Sequence, residues 1–405
     1  MYFSTTNRTS MRRSRALASK RMLLPHMHEW LKPGKVKSRP ISLSLLGVVA
    51  LTACELSLAP AQGDPPELDH ALYAPVSLTG VVLHDSELLK LPTRIEWVED
   101  QLVVLDIASD SIIHVLSAST GNHLRSFGRK GEGPGELLGP WSIDSAPQEL
   151  GAIWVFDLSL HRLTRFPLDD EVPQAKNGSQ LELLRLRSDV TLLDPIWVDS
   201  TIITLGFFRS GRLGLFARDG RLLDTKGLVP TLNVLMPGEL TQHAFQSRLA
   251  ANPSRTRLAV ASRHSDRMEV YTDGGVLLHV AEPPFAFLPR AATRHRAGRL
   301  EMITGEDLRF GYLDLAATEE RIFALFSGRT RRGFPGQANF GRYIHVYDWS
   351  GTLVEVLRLP LPAIALSVDP RGAFIFAMHH DPEPTIGRYE YLASYCEVHR
   401  EASQC

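Results

Sequence analysis

Three cysteines in 405 residues are too few for a disulfide-dense scaffold or a cysteine-rich zinc array. Also missing are a Gly-x-Ser-x-Gly elbow, a Ser-x-x-Lys pair, an HExxH helix and a Cys/His nucleophile arrangement, so the common hydrolytic signatures supply no reaction. Long helical periodicity is absent. Basic charge is scarce in the body of the chain: ten of the 44 Lys and Arg precede Ile41, against the single acid Glu29, and from Cys54 onward 34 basic residues face 44 acidic ones. That balance argues against sequence-independent binding of nucleic acid, which works by neutralising phosphates. What is present, 44% hydrophobic and 22% charged residues, suffices for a substantial folded core.

Residues 1–53 read as an address. KPGKVKSRP (Lys32 to Pro40) is a positive n-region, and ISLSLLGVVA (Ile41 to Ala50) is an apolar h-region too short to span a bilayer. The ending Leu51-Thr52-Ala53-Cys54 resembles the lipobox of bacterial lipoproteins. That resemblance implies cleavage before Cys54, acylation of its thiol and anchoring at the cell envelope. Glu55, in place of aspartate, points to the outer membrane, facing the periplasm or the cell surface. A start at Met22 or Met27 gives a leader of ordinary length, and Arg12-Arg13 is a twin-arginine candidate. With Cys54 lipidated, Cys396 and Cys405 remain as an even pair in an oxidising compartment, and a disulfide between them is expected to pin the tail 396–405; two free thiols are the alternative.

A Pro-rich tether over 54–71 precedes a repeat. Apolar runs begin at Leu102, Ile153, Ile202, Leu258, Ile322 and Ala373, and each is followed by a second strand after a polar turn. Third strands follow Asp-Gly-like turns, as in ARDGRLLDT and YTDGGVLLHV, and a further apolar stretch precedes each run. The expectation is an all-β fold: six four-stranded antiparallel blades arranged radially over 72–395, an architecture that protects sheet edges. Because the last unit lacks an outer strand, Val76 to His84 is expected to supply it and close the ring.

Between units lies FGRKGEGPGELLGPWSI (Phe127 to Ile143). Its glycines do not form a dinucleotide cradle, because Glu136 occupies the place of the third glycine and a strand follows instead of a helix. No P-loop lysine follows, so nucleotide binding is not expected. Pro134-Gly135-Glu136-Leu137 recurs as Pro237-Gly238-Glu239-Leu240, which identifies an interblade connector. This run, together with the repeated x-L-x-V-x-D and I-x-V-x-x-x-x-G patterns, resembles the six-bladed NHL-like and TolB-like propellers common among bacterial lipoproteins. The likeness covers nearly all of the mature chain and implies a fold without naming an activity.

Candidate site residues fall on loops expected to share one rim: Glu136, Glu239, Arg329, Arg331, Arg332, His379, His380 and Asp381. The arginines suit an anionic partner, and His-His-Asp offers borderline metal-ligand types that adjacent loop positions seldom bring together. Asp100, Asp144, Asp199, Asn252 and Asp369 recur where turns need an Asx side chain, Asp106 and Asp157 where hairpins need capping. Trp97, Trp141 and Trp197 are expected to pack between blades. No cofactor is expected. The favoured function is a lipid-anchored module that binds or scaffolds an envelope protein, peptide or glycan, with a sensor module as a variant. The alternative is a hydrolase resembling calcium-dependent lactonase propellers, which requires carboxylate or amide oxygens converging on the axis.

Overall fold

The computed structural model describes residues 66–391, except 86, 147–150, 169–180, 233–235, 297–298 and 381. The leader, Cys54, most of the tether, Asp381 and the Cys396/Cys405 pair therefore lie outside the described residues.

Blade 1 is built from Pro92–Val98, Gln101–Asp106, Ile113–Ser117 and His123–Phe127, and blade 2 from Pro140–Asp144, Ala152–Asp157, Arg162–Pro167 and Leu183–Arg185. Blade 3 comprises Leu192–Val198, Thr201–Gly206, Leu213–Ala217 and Leu222–Lys226, and blade 4 Ser247–Ala251, Arg257–Ser262, Met268–Thr272 and Leu277–Val280. Tyr312–Ala317, Arg321–Phe326 and Gly341–Asp348 begin blade 5. One strand, Leu353–Val368, then serves as the outer strand of blade 5 and the inner strand of blade 6. Blade 6 continues with Phe374–His380 and Pro384–Glu390, and its outer strand is Gly80–His84, paired antiparallel with Pro384–Glu390.

Inner strands neighbour one another in cyclic order, blade 6 returning to blade 1, so the ring is closed. The expected N-terminal closure is present but narrower than the sequence suggested. Val76–Ser77 leaves that strand to pair in parallel with Leu357 and Arg358 of blade 5.

Second strands are buried along nearly all their length because each is sandwiched between blades on both faces, which is why they read as apolar runs rather than as alternation. A period of two divides each run between two interfaces. Val103 and Leu105 pack toward blade 2, whereas Leu102 and Val104 pack toward blade 6. Ile153 and Val155 likewise face blade 1 while Trp154 and Phe156 face blade 3. Each such side chain contributes about 1.5–3 kcal/mol of burial free energy, so the interfaces rather than the isolated sheets hold the ring together.

Two connectors are enlarged. Between blades 3 and 4 the chain forms a short helix, Gly238–Ala244, and between blades 4 and 5 a hairpin, Ala292–Arg296 with Arg299–Ile303. The two copies of Pro-Gly-Glu-Leu therefore differ. Gly135 adopts φ 74 in a turn, and Glu136–Leu137 pairs in parallel with Arg129–Lys130. Gly238 starts the helix, where a Cβ would collide with the carbonyl oxygen of Arg209.

Candidate functional site

The axis is lined by side chains from the inner strands. Asp194 of blade 3 receives both Arg248 Nη1 contacts, at 2.8 and 3.2 Å, across to blade 4. Arg248 Nε also donates to the Leu313 carbonyl at 3.1 Å and lies 3.9 Å from Asp314 of blade 5. Arg255 reaches Asp144 at 2.7 Å, and the guanidiniums of Arg248 and Arg94 sit 5.0 and 5.5 Å from the Trp141 ring. What remains between these groups is a void of about 50 Å³, bordered by Arg94, Glu96, Ser142, Asp194, Arg248 and Asp314. Small-molecule sites occupy roughly 300–1,000 Å³, so this space is too small for an organic ligand.

The axial side chains also link one inner strand to the next. Asp144 accepts from the Trp197 amide at 2.8 Å, Asp194 from Leu249 at 3.3 Å and Asp314 from Leu366 at 3.1 Å. Ser367 accepts from the Trp97 amide at 2.8 Å, which completes the same relation across the closure. Asp144 is thus an interblade acceptor and not the turn residue its repeat position suggested. Its carboxylate is drawn inward by the amide and the guanidinium facing it. Asp100 and Asp199 do occupy turns, with φ 62 and 51, and Asn252 and Asp369 accept from the amides of Arg257 and Phe374.

Burial governs the ionisation of this network. It pushes Glu96 up to about 8 and Asp194 up to about 7, against the pull of Arg255 on the first and Arg94 on the second. Asp314 is raised for the same reason, and burial lowers Arg263 to about 10. A resident calcium ion would need several carboxylates converging on one point. Here the carboxylates of Asp144, Asp194 and Asp314 face guanidiniums and accept from backbone amides. Among the described residues no three His, Cys, Asp or Glu side chains are grouped to hold a metal ion. The donor set does not fit calcium.

The expected rim residues do not form one cluster. Glu136 bonds Arg129 Nε and the Gly133 amide, each at 2.9 Å, and the Gly133 contact followed by that of Arg129 holds its carboxyl below the usual range. Arg162 gathers the carbonyls of Glu132, Gly133 and Glu136, so the glycine-rich connector is tied to blade 2. Glu239 pairs with Arg209 at 2.8 Å. Arg329 is buried against Glu67 at 2.8 Å, Arg331 donates to Thr304 Oγ1 at 3.3 Å, and Arg332 pairs with Asp307 at 2.8 Å in the open. His379 and His380 end a strand instead of lying in a loop. The His379 ring is buried between the Pro362 carbonyl and the Tyr389 hydroxyl, at 2.9 and 2.8 Å. The tryptophans pack between blades as expected, Trp197 lying 5.4 Å from Trp154.

Where the two enlarged connectors meet, the rim carries a groove of about 460 Å³ lined by Leu232, Leu288, Ala292, Ile303, Asp307 and Leu308. The helix beside it is held by Arg212, a fully buried guanidinium bonded to Glu269, Gln242, Ser247, Ser262 and the Phe245 carbonyl. Sequence reasoning missed this groove. Its signal was the spacing of 64 between the runs at Leu258 and Ile322, the widest in the repeat, with a dense basic stretch inside it.

A profile described as TolB-like 6-blade propeller-like matches residues 75–368. The chain belongs to the TolB-like six-blade propeller family. The match ends inside the shared strand Leu353–Val368, and the sixth TolB-like blade is completed beyond it by Phe374–His380, Pro384–Glu390 and the N-terminal strand. Among solved structures, a member of the duf4221 family from Bacteroides vulgatus is similar at TM-score 0.53 and 9% identity, covering 78% of this chain and 98% of that one. The Cps50 (Swd1) β-propeller domain of Myceliophteria thermophila has TM-score 0.41 and 10% identity, covering 77% of this chain and all of the other. At 9% identity the likeness to the duf4221 family member speaks for the fold alone. No curated protein matches by sequence.

Proposed function

We propose that this TolB-like propeller is a binding or scaffolding module, tethered to the cell envelope through Cys54, that holds a protein, peptide or glycan partner on its rim. One observation carries the reading. The axis, where a propeller enzyme would keep its substrate, is filled by paired charges around some 50 Å³, while the rim between blades 4 and 5 offers about 460 Å³. The tethering rests on the order of basic segment, apolar segment and Leu-x-Ala-Cys in the leader. A hydrolase reading is disfavoured because its cation would have to displace the guanidiniums of Arg248 and Arg255.

The test is site-specific photo-crosslinking in intact envelopes, with the photoreactive residue placed at His295 on the rim or at Ser142 on the axis. Adducts from position 295 and none from 142 are expected. Adducts from 142 alone would overturn the reading.

A further inference from the structure

We propose that the open edge of the hairpin Ala292–Ile303, beside the groove lined by Leu232, Leu288 and Ile303, takes an extended acidic peptide added as a third strand to the hairpin. This inference rests on the rim-binding reading and assigns it a place and a ligand class.

The hairpin is a two-stranded sheet, and its second strand lies against the helix. Ala292–Arg296 is left as the outer edge, with no strand paired to it among the described residues. Such an edge is a template for strand addition. Beside it the groove exposes aliphatic surface: Leu288 is 45% and Ile303 36% exposed.

Charge selects the occupant. Positions 290–299 read RAATRHRAGR, five basic residues and no acid, on a body that is otherwise acidic. Arg294 is held only at 3.8 Å by Glu301, and all of Ala292–Arg296 is exposed. Asp307, at the groove wall, is neutralised by Arg332 at 2.8 Å. An added strand has a side-chain period of two, so alternate acidic residues would lie beside Arg294 and Arg296, which share the face of the groove residues Ala292 and Ile303, while the others would lie beside His295 on the opposite face. The same cations repel basic strands, which supplies specificity as well as attraction.

The experiment uses the full chain and a fluorescein-labelled ten-residue peptide alternating valine with aspartate, compared with its valine–lysine counterpart and with phosphatidylglycerol vesicles. The acidic peptide is expected to bind at least about tenfold more tightly than the basic one and to weaken with salt. The double variant Arg294→Glu with Arg296→Glu, and separately Ile303→Asp, should each lower its affinity about tenfold or more with the melting temperature unchanged. Equal affinity for both peptides, undiminished binding by either variant, binding of vesicles only, or self-association through this edge would overturn the proposal. The two readings fail separately. A peptide that does not bind, alongside rim adducts from position 295, defeats this inference alone, whereas peptide binding lost in Ser142→Trp and kept in the groove variants defeats the rim reading too.

Discussion

The Nε2 atoms of His70 and His345 lie 3.1 Å apart, joining the end of the tether to the third strand of blade 5. Their partners fix the protons. His70 Nδ1–H donates to the Leu68 carbonyl at 3.2 Å, so its Nε2 must accept from His345 Nε2–H. His345 Nδ1 then accepts from the Tyr312 hydroxyl at 3.2 Å, which accepts from Tyr347 at 2.6 Å. Every member of this chain is neutral. Around it Leu68 N–H donates to the Gly328 carbonyl, Glu67 pairs with Arg329, and the His70 ring stacks 3.7 Å from Tyr343.

Acid should therefore loosen residues 66–73. Burial lowers His70 to about 4 against the opposing pull of the Leu68 carbonyl and then of Asp69, and lowers His345 well below its ordinary value. A folded value below the unfolded one means that the contribution is complete above about pH 6.5 and is lost as pH falls toward 4. For His70 that amounts to about tenfold in the docking equilibrium per pH unit. Hydrogen exchange of the Leu68 amide, corrected for intrinsic rate, should quicken over this range, and His70→Phe should flatten the response. Protection that is constant from about pH 7 to about pH 5 would refute the assignment.

Asp157 anchors a whole connector. Its carboxylate, fully buried, accepts from the amides of Leu138, Gly139, Ser159 and Leu160 at 2.5–3.1 Å, and Asp106 does the same for Lys90, Leu91, Ala108 and Ser109 at 2.5–3.2 Å. Asp157→Ala leaves four donors without that acceptor and should cost about 3 kcal/mol or more, read from the urea midpoint. A loss under about 1 kcal/mol would show that water replaces the carboxylate.

On the axis, removing one partner of a buried pair costs more than removing both. Arg248→Leu should destabilise by about 3–5 kcal/mol, and adding Asp194→Leu should recover most of it. Glu96, raised to about 8, contributes in the opposite sense to His70: stability present on the acid side is lost as pH rises from near 4.5 through 8. Glu96→Gln should therefore raise the melting temperature at about pH 8 and leave it little changed at about pH 5. A lower melting temperature at the alkaline end would contradict the burial argument.

The blades were legible in the sequence because period-two burial writes itself locally, as in Leu102–Leu105 facing two interfaces in turn. The closing strand was legible from a unit lacking a partner. The axis was not, although its trace is present: Glu96, Asp194, Arg248 and Asp314 each interrupt an apolar inner strand. Their partners are contributed by other blades, and a local pattern does not encode that pairing. The groove was missed because Pro-Gly-Glu-Leu occurs twice and only the second copy starts a helix, a choice made by Arg212 from blade 3 with Gln242 and Glu269.

Ring closure should make the propeller unfold as one body. Gly80–His84 covers the edge of Pro384–Glu390, and Val76–Ser77 ties the same segment to blade 5. Deletion of 76–84 should lower the single cooperative transition of all blades together. A melt that keeps its midpoint would count against closure by this strand.

Equilibrium dialysis of the purified full chain against calcium bears most directly on the claim that paired charges, and not a cation, occupy the axis. The account predicts no stoichiometric ion that depends on Asp194 or Asp314. One calcium per chain, lost in Asp194→Asn and accompanied by release of Arg248 from its partner, would contradict it.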